Sequence, residues 1–128
     1  MIITMSKTFD FDAAHFLPNV ADGHKCKRLH GHTYRVELIL CGQISSESGW
    51  FIDYGDIADA WKPLHDDVLD HRCLNDIEGL ENPTTENLCG WILRKLADKL
   101  PHLARVRVYE SSSTWCEVTR IEAMRFFV

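Results

Sequence analysis

No stretch of this 128-residue chain is apolar for long enough to cross a membrane. The opening Met-Ile-Ile-Thr-Met-Ser-Lys also lacks the charged and long apolar regions of a signal peptide. Basic runs are missing too: 14 Lys and Arg are outweighed by 19 Asp and Glu, a formal net charge of −5. Non-specific nucleic-acid binding, which works by neutralising phosphates, is therefore not expected. Five cysteines are present, but the number is odd, the spacing wide and no Cys-x-x-Cys pair occurs, which argues against a disulfide framework. Repeats and low-complexity segments are likewise absent. What is left is one domain, residues 1–128, with 45% hydrophobic residues to form a core. A reducing cytoplasm, where thiols stay free, is its expected home.

Against this background the segment Cys26-Lys-Arg-Leu-His30-Gly-His32 is chemically dense. In an extended backbone, residues two apart point to one face, so His30 and His32 can offer two imidazoles to one ion. A His-Gly-His triplet is also a common turn-to-strand junction, and a third ligand is needed to favour a metal. His15 ends Phe9-Asp-Phe11-Asp-Ala13-Ala-His15, where alternate residues share one half-buried face. A histidine in that place is usually a packed core residue. If its strand pairs with the one after His32, three imidazoles converge as in a catalytic zinc site with one open position.

The chain order predicts two strands, two helices and two strands. The strands span about 2–13 and 32–41. A helix follows the N-cap Asp53 with Ile57, Ala60, Trp61, Leu64 and Val68 inward, kinked or shortened by Pro63. A second helix follows Asn82-Pro-Thr84-Thr85-Glu86, with Leu88, Trp91, Ile92, Leu96 and Leu100 as its apolar stripe. Strands over 105–110 and from about Cys116 complete an α+β fold, helices on one face of a four-stranded antiparallel sheet.

Three further groups stand out. His24, Lys25, Lys27 and Arg28 surround Cys26 with positive charge in an acidic protein, either as solvated loop charges or as a seat for a phosphorylated small molecule. Asp70-His71 falls in a loop, where Asp70 can hold the imidazole and His71 can exchange a proton with Cys26. A helix end with a solvated aspartate is the plainer alternative. Glu110 shares a strand face with Val106 and Val108, so it either turns into water or accepts two hydrogen bonds from an amidine-like ring edge. His65 and His102 read as surface residues.

Together, Phe11-Asp-Ala-Ala-His15, Cys26-x3-His30-Gly-His32, Leu69-Asp-His71, Pro83-Thr-Thr-Glu-Asn87 and Val108-Tyr-Glu110 resemble the 6-pyruvoyl-tetrahydropterin synthase family, in its order, from about residue 9 to 118. The three-residue spacer between the cysteine and His-Gly-His is similar to the bacterial branch, the 6-carboxy-5,6,7,8-tetrahydropterin synthases of queuosine biosynthesis, as are Gly79-Leu-Glu-Asn-Pro83 and Gly49-Trp-Phe-Ile-Asp53. The resemblance implies a tunnelling fold of ββααββ order, commonly two stacked trimers (a homohexamer) with active sites at subunit interfaces. It implies zinc on His15, His30 and His32, Cys26 as general base, and Asp70 with His71 as a proton relay. Glu110 would anchor the pterin, Thr84, Thr85 and Glu86 would add contacts, and Lys25 and Arg28 belong to the basic group facing the triphosphate. The implied reaction is a carbon–carbon lyase step on 7,8-dihydroneopterin triphosphate, giving 6-carboxy-tetrahydropterin, acetaldehyde and triphosphate. Pyruvoyl formation, aldolase-like cleavage, and zinc or pterin binding without turnover are the alternatives. Residues after about Ile121 extend past the compact bacterial pattern, either lengthening the last strand or covering an assembly surface.

Overall fold

In a computed structural model, which describes residues 1–125, a long hairpin organises the chain. β1 (Ile2–His15) and β2 (His30–Gln43) pair antiparallel over their full length. Alternation is the reason: Phe11 and Ala13 with Tyr34, Val36, Leu38 and Leu40 fall on one buried face, while Asp10, Asp12, Thr33 and Arg35 face the other way. Both strands run further than the alternation of apolar residues marks, because the ladder continues through His15 opposite His30.

β4 (Leu103–Tyr109) adds to β2, with an irregularity between Ile39 and Leu40, and β5 (Trp115–Thr119) pairs with β4. The sheet has five strands rather than four. The extra one is β3 (Arg72–Cys73), parallel to Ala13 and Ala14 of β1, and the order is β3-β1-β2-β4-β5. Two residues are too few for any alternation to be legible.

α1 (Tyr54–Leu64) starts where the Asp53 carboxylate accepts a hydrogen bond from the Gly55 N–H at 2.8 Å. It buries Ile57, Ala60 and Trp61, the last stacked on Phe9 at 5.3 Å between centroids. Pro63 lies in the last turn, after which the coil widens into a π-helical turn over His65–Leu69. α2 (Thr85–Leu96) is capped by Thr84, whose hydroxyl accepts from the Asn87 N–H at 3.1 Å. Its Leu88, Trp91, Ile92 and Leu96 join the strand residues in one core.

The chain after β5 turns helical instead of extending the strand. α3 (Arg120–Arg125) buries Ala123, and residues 126–128 lie outside the described residues. Arg120 donates to the carbonyls of Ala97, Leu100 and Leu103 at 3.1, 3.2 and 3.1 Å, satisfying acceptors where α2 ends. Among the described residues no helix is long and apolar enough to cross a membrane.

Candidate active site

Register brings the three histidines together. His15 directly opposes His30 and Ala13 opposes His32, so all three imidazoles project from one face at the end of the hairpin. Ring centroids are 4.6 Å apart for His15 and His30, 5.1 Å for His15 and His32, and 4.9 Å for His30 and His32. One nitrogen from each lies within 4.8 Å of the others.

Hydrogen bonds identify the nitrogens left free. Nδ1 of His15 lies 2.9 Å from the Pro83 carbonyl oxygen, and Nδ1 of His30 lies 2.7 Å from that of Arg28. A carbonyl can only accept, so each Nδ1 carries the proton and each Nε2 keeps its lone pair. The Tyr34 hydroxyl, 3.2 Å from His15 Nδ1, shares that proton. Nε2 of His15 and of His32 are buried with no hydrogen-bond partner; the nearest acid to His32, Glu110 Oε1, is 3.5 Å away. An unpaired buried polar atom costs roughly 1–3 kcal/mol, so convergent lone pairs of this kind fit a divalent cation. Burial lowers the pKa of His15, against the raising effect of its Pro83 bond, and lowers that of His32 against the pull of Glu110. Both imidazoles are thereby held neutral, the form that binds metal. Burial likewise raises the Tyr34 pKa and keeps its hydroxyl protonated.

Cys26 sits in a 3₁₀ turn, Lys25–Lys27, between the two strands. With Lys25, Arg28, His30, His32 and Glu110 it lines a cavity of about 420 Å³. Of the basic residues here, Lys27 is committed elsewhere, paired with Asp22 at 2.6 Å, whereas Lys25 and Arg28 border the cavity.

β4 ends at Tyr109, one residue short of the expected strand, and the Glu110 side chain is 35% exposed, but its carboxylate is held rather than free in water. The Thr85 hydroxyl donates to its Oε2 at 2.8 Å, and the carboxylate stands between the Cys26 cavity and a second hollow of about 440 Å³ bordered by Thr84, Thr85, Glu86 and Cys116. Its Oε1 lies 3.5 Å from His32 Nε2.

Asp70 and His71 form the expected pair, Nδ1 donating to Oδ2 at 2.7 Å. Asp70 is fixed further by the Asp12 N–H at 3.0 Å, and that bond, followed by the one from His71, lowers its pKa. His71 adopts φ 59°, a left-handed conformation held by its N–H bond to the Asp12 carbonyl at 2.7 Å. Its side chain is 77% exposed, and its pKa is raised by the Asp70 bond and charge. Asp70→Asn should therefore lower the His71 titration midpoint, read by NMR of the imidazole protons; an unmoved midpoint contradicts the pairing. The structure does not bring this pair to Cys26: His71 borders a different hollow, with Asp12, Gly31, His32 and Arg72. His65 is half-buried rather than a surface residue, bonded to Asp66 and packed near Trp61, while His102 is exposed as expected.

The 6-pyruvoyl tetrahydropterin synthase family model matches residues 4–121. The chain belongs to that family. A 6-carboxy-5,6,7,8-tetrahydropterin synthase of Synechocystis is 39% identical over 113 residues, covering 84% of this chain and 86% of the relative. A dihydroneopterin monophosphate aldolase of Pyrococcus furiosus is 34% identical over 114 residues, covering 84% and 90%. The 6-pyruvoyl tetrahydropterin synthase structure from Caenorhabditis elegans superposes with a TM-score of 0.84 at 26% identity, covering 93% of this chain and 96% of the other.

Within this family member, sequence reasoning missed Tyr34, Asp12 and the Pro83 and Arg28 carbonyls. Tyr34 had a signal, since it lies two residues beyond His32 on the same strand face. The carbonyls had none, because every residue carries one and only tertiary packing selects which is used.

Proposed function

We propose that the chain is a zinc-dependent 6-carboxy-5,6,7,8-tetrahydropterin synthase, a carbon–carbon lyase of queuosine biosynthesis. It converts 7,8-dihydroneopterin triphosphate to 6-carboxy-tetrahydropterin, acetaldehyde and triphosphate. The observation that carries the reading is the set of three convergent imidazoles, two of which, His30 and His32, line one cavity with the free thiol of Cys26. The Synechocystis relative lends support to the carboxy product.

The fit of the histidines to zinc rests on the unpaired Nε2 atoms of His15 and His32 and on the Nδ1 bond that frees Nε2 of His30. Held by these residues, zinc would supply Lewis acidity to the substrate's side-chain oxygens, making nearby protons easier to remove. The rest belongs to the chain's own groups. Cys26, as thiolate, takes and returns protons on the substrate side chain. Glu110, oriented by Thr85, accepts N–H bonds from the pterin edge, with Thr84 and Glu86 bordering the same hollow. Lys25 and Arg28 face the triphosphate. Asp70 and His71 act as the proton relay on a neighbouring copy's Cys26 within a homohexamer, which accords with their separation from Cys26 in one chain and the exposure of His71.

Tyr34→Phe removes one acceptor from His15 Nδ1–H but leaves the Pro83 carbonyl. Zinc affinity should fall about tenfold, the low end for loss of a group that orients a ligand, measured by competition with a chromophoric chelator. Affinity equal to that of the parent would exclude Tyr34 from ligand positioning.

The test of the function is incubation of zinc-loaded protein with 7,8-dihydroneopterin triphosphate and mass spectrometry of the products. 6-Carboxy-tetrahydropterin with acetaldehyde is expected. A pyruvoyl product moves the protein to the other synthase branch. The Pyrococcus relative favours one second reading, aldolase chemistry, for which release of phosphorylated glycolaldehyde from the phosphorylated dihydroneopterin is the diagnostic. Zinc and pterin bound without turnover would refute an enzymatic role.

A further inference from the structure

Two thiols with no part in that chemistry meet behind the Glu110 hollow. Cys89, in α2, is 1% exposed, and Cys116, in β5, is half-buried. Their Sγ atoms are 3.4 Å apart, and the Cys89 sulfur lies 3.2 Å from the Cys116 carbonyl oxygen. A disulfide needs about 2.0 Å between sulfurs, so an approach of about 1.4 Å would join them. The elements are the ones that frame the hollow: α2 begins with Thr85, which bonds Glu110, and Cys116 opposes Val108 on the strand leading to Glu110.

We infer that Cys89 and Cys116 are a redox-sensitive pair that a hydroperoxide closes to a disulfide, stapling α2 to β5 beside the Glu110 hollow. The roles of the two sulfurs follow from their surroundings. Cys116 borders the open hollow, where a small oxidant can reach it, whereas Cys89 is enclosed. The hydrogen bond from Cys89 lowers the Cys116 pKa despite burial and the nearby Glu86 and Glu110, and the same bond, with burial, keeps the proton on Cys89. Cys116 is thus the attacking thiolate and Cys89 the resolving thiol.

The thiolate of Cys116 attacks one peroxide oxygen, the O–O bond breaks, and the departing hydroxide takes the proton Cys116 released, giving water and a sulfenic acid. The Cys89 sulfur then attacks the Cys116 sulfur, the S–O bond breaks, and the leaving hydroxide takes the Cys89 proton as a second water. Two thiols are oxidised by two electrons and one peroxide is reduced to two waters.

Drawing the sulfurs together pulls the first turns of α2 toward β5 and narrows the hollow between Thr85 and Cys116. Resting on the function proposed above, this predicts a several-fold rise in KM for the pterin on oxidation, reversed by dithiothreitol.

The test treats the reduced, full-length protein with equimolar hydrogen peroxide, blocks remaining thiols with iodoacetamide and digests it without reductant. Cleavage at both basic residues and glutamate separates Cys73 from Cys89. A peptide pair joined through Cys89 and Cys116, lighter by two hydrogens than its parts and released by dithiothreitol, is the expected product. Peroxide consumed at Cys26 or elsewhere while Cys89 and Cys116 stay alkylatable overturns the pair, as does no oxidation at all. The crosslink is read by mass and needs no turnover, so its failure is distinct from failure of the synthase reading. A crosslink that forms with KM unchanged overturns the coupling to the hollow.

Discussion

Replacing His30 by alanine is expected to abolish both zinc binding and turnover. His30 directly opposes His15 across the hairpin, and its Nδ1 bond to the Arg28 carbonyl leaves only Nε2 for a ligand. Removing it leaves two imidazoles, one fewer than the three protein ligands of a catalytic zinc site. Lewis-acid stabilisation is worth several kcal/mol, and each 1.4 kcal/mol is a factor of ten, so the loss of rate is on the order of 10³-fold or more. The side chain is half-exposed at the end of a ladder held by thirteen other residue pairs, so the fold should survive, which circular dichroism checks. Metal analysis carries the decision: stoichiometric zinc retained in the variant would refute the ligand assignment.

Cys26→Ala separates metal binding from proton transfer. The thiol shares a cavity with His30 and His32 but lies outside the three-histidine cluster, so zinc content should match the parent. Product formation should fall at least ~100-fold, the usual effect of losing a general base. Undiminished turnover would remove Cys26 from the chemistry. Loss of zinc together with activity would instead make it a ligand.

Much of this was legible in the sequence because alternation and capping are local. Phe11, Tyr34, Val36, Leu38 and Leu40 are buried as their spacing dictates, and Asp53 and Thr84 cap α1 and α2. The convergence of His15 with His30 and His32 was conditional on strand pairing, which the register supplies. What escaped was non-local or too short to carry a pattern. β3 is two residues whose partner is chosen by the His71 bond to Asp12, and α3 is tied in by Arg120 reaching carbonyls about twenty residues earlier. Similarly, Cys89 and Cys116 lie on separate elements with nothing in their spacing to link them. The placing of Asp70 and His71 away from Cys26 follows from the edge position of β3, which spacing does not reveal.

The hairpin register has a meaning for how the protein matures. Side chains alternate at every residue, so a slip of one position along the fourteen-residue ladder would set His15 opposite Gly31 and pair its face with the outward residues of β2. The three imidazoles would then no longer converge, and one strand's apolar residues would be turned out of the core. On the proposed zinc reading, ion present during refolding would stabilise only chains whose two strands have met in step, and misaligned ones would gain nothing from it.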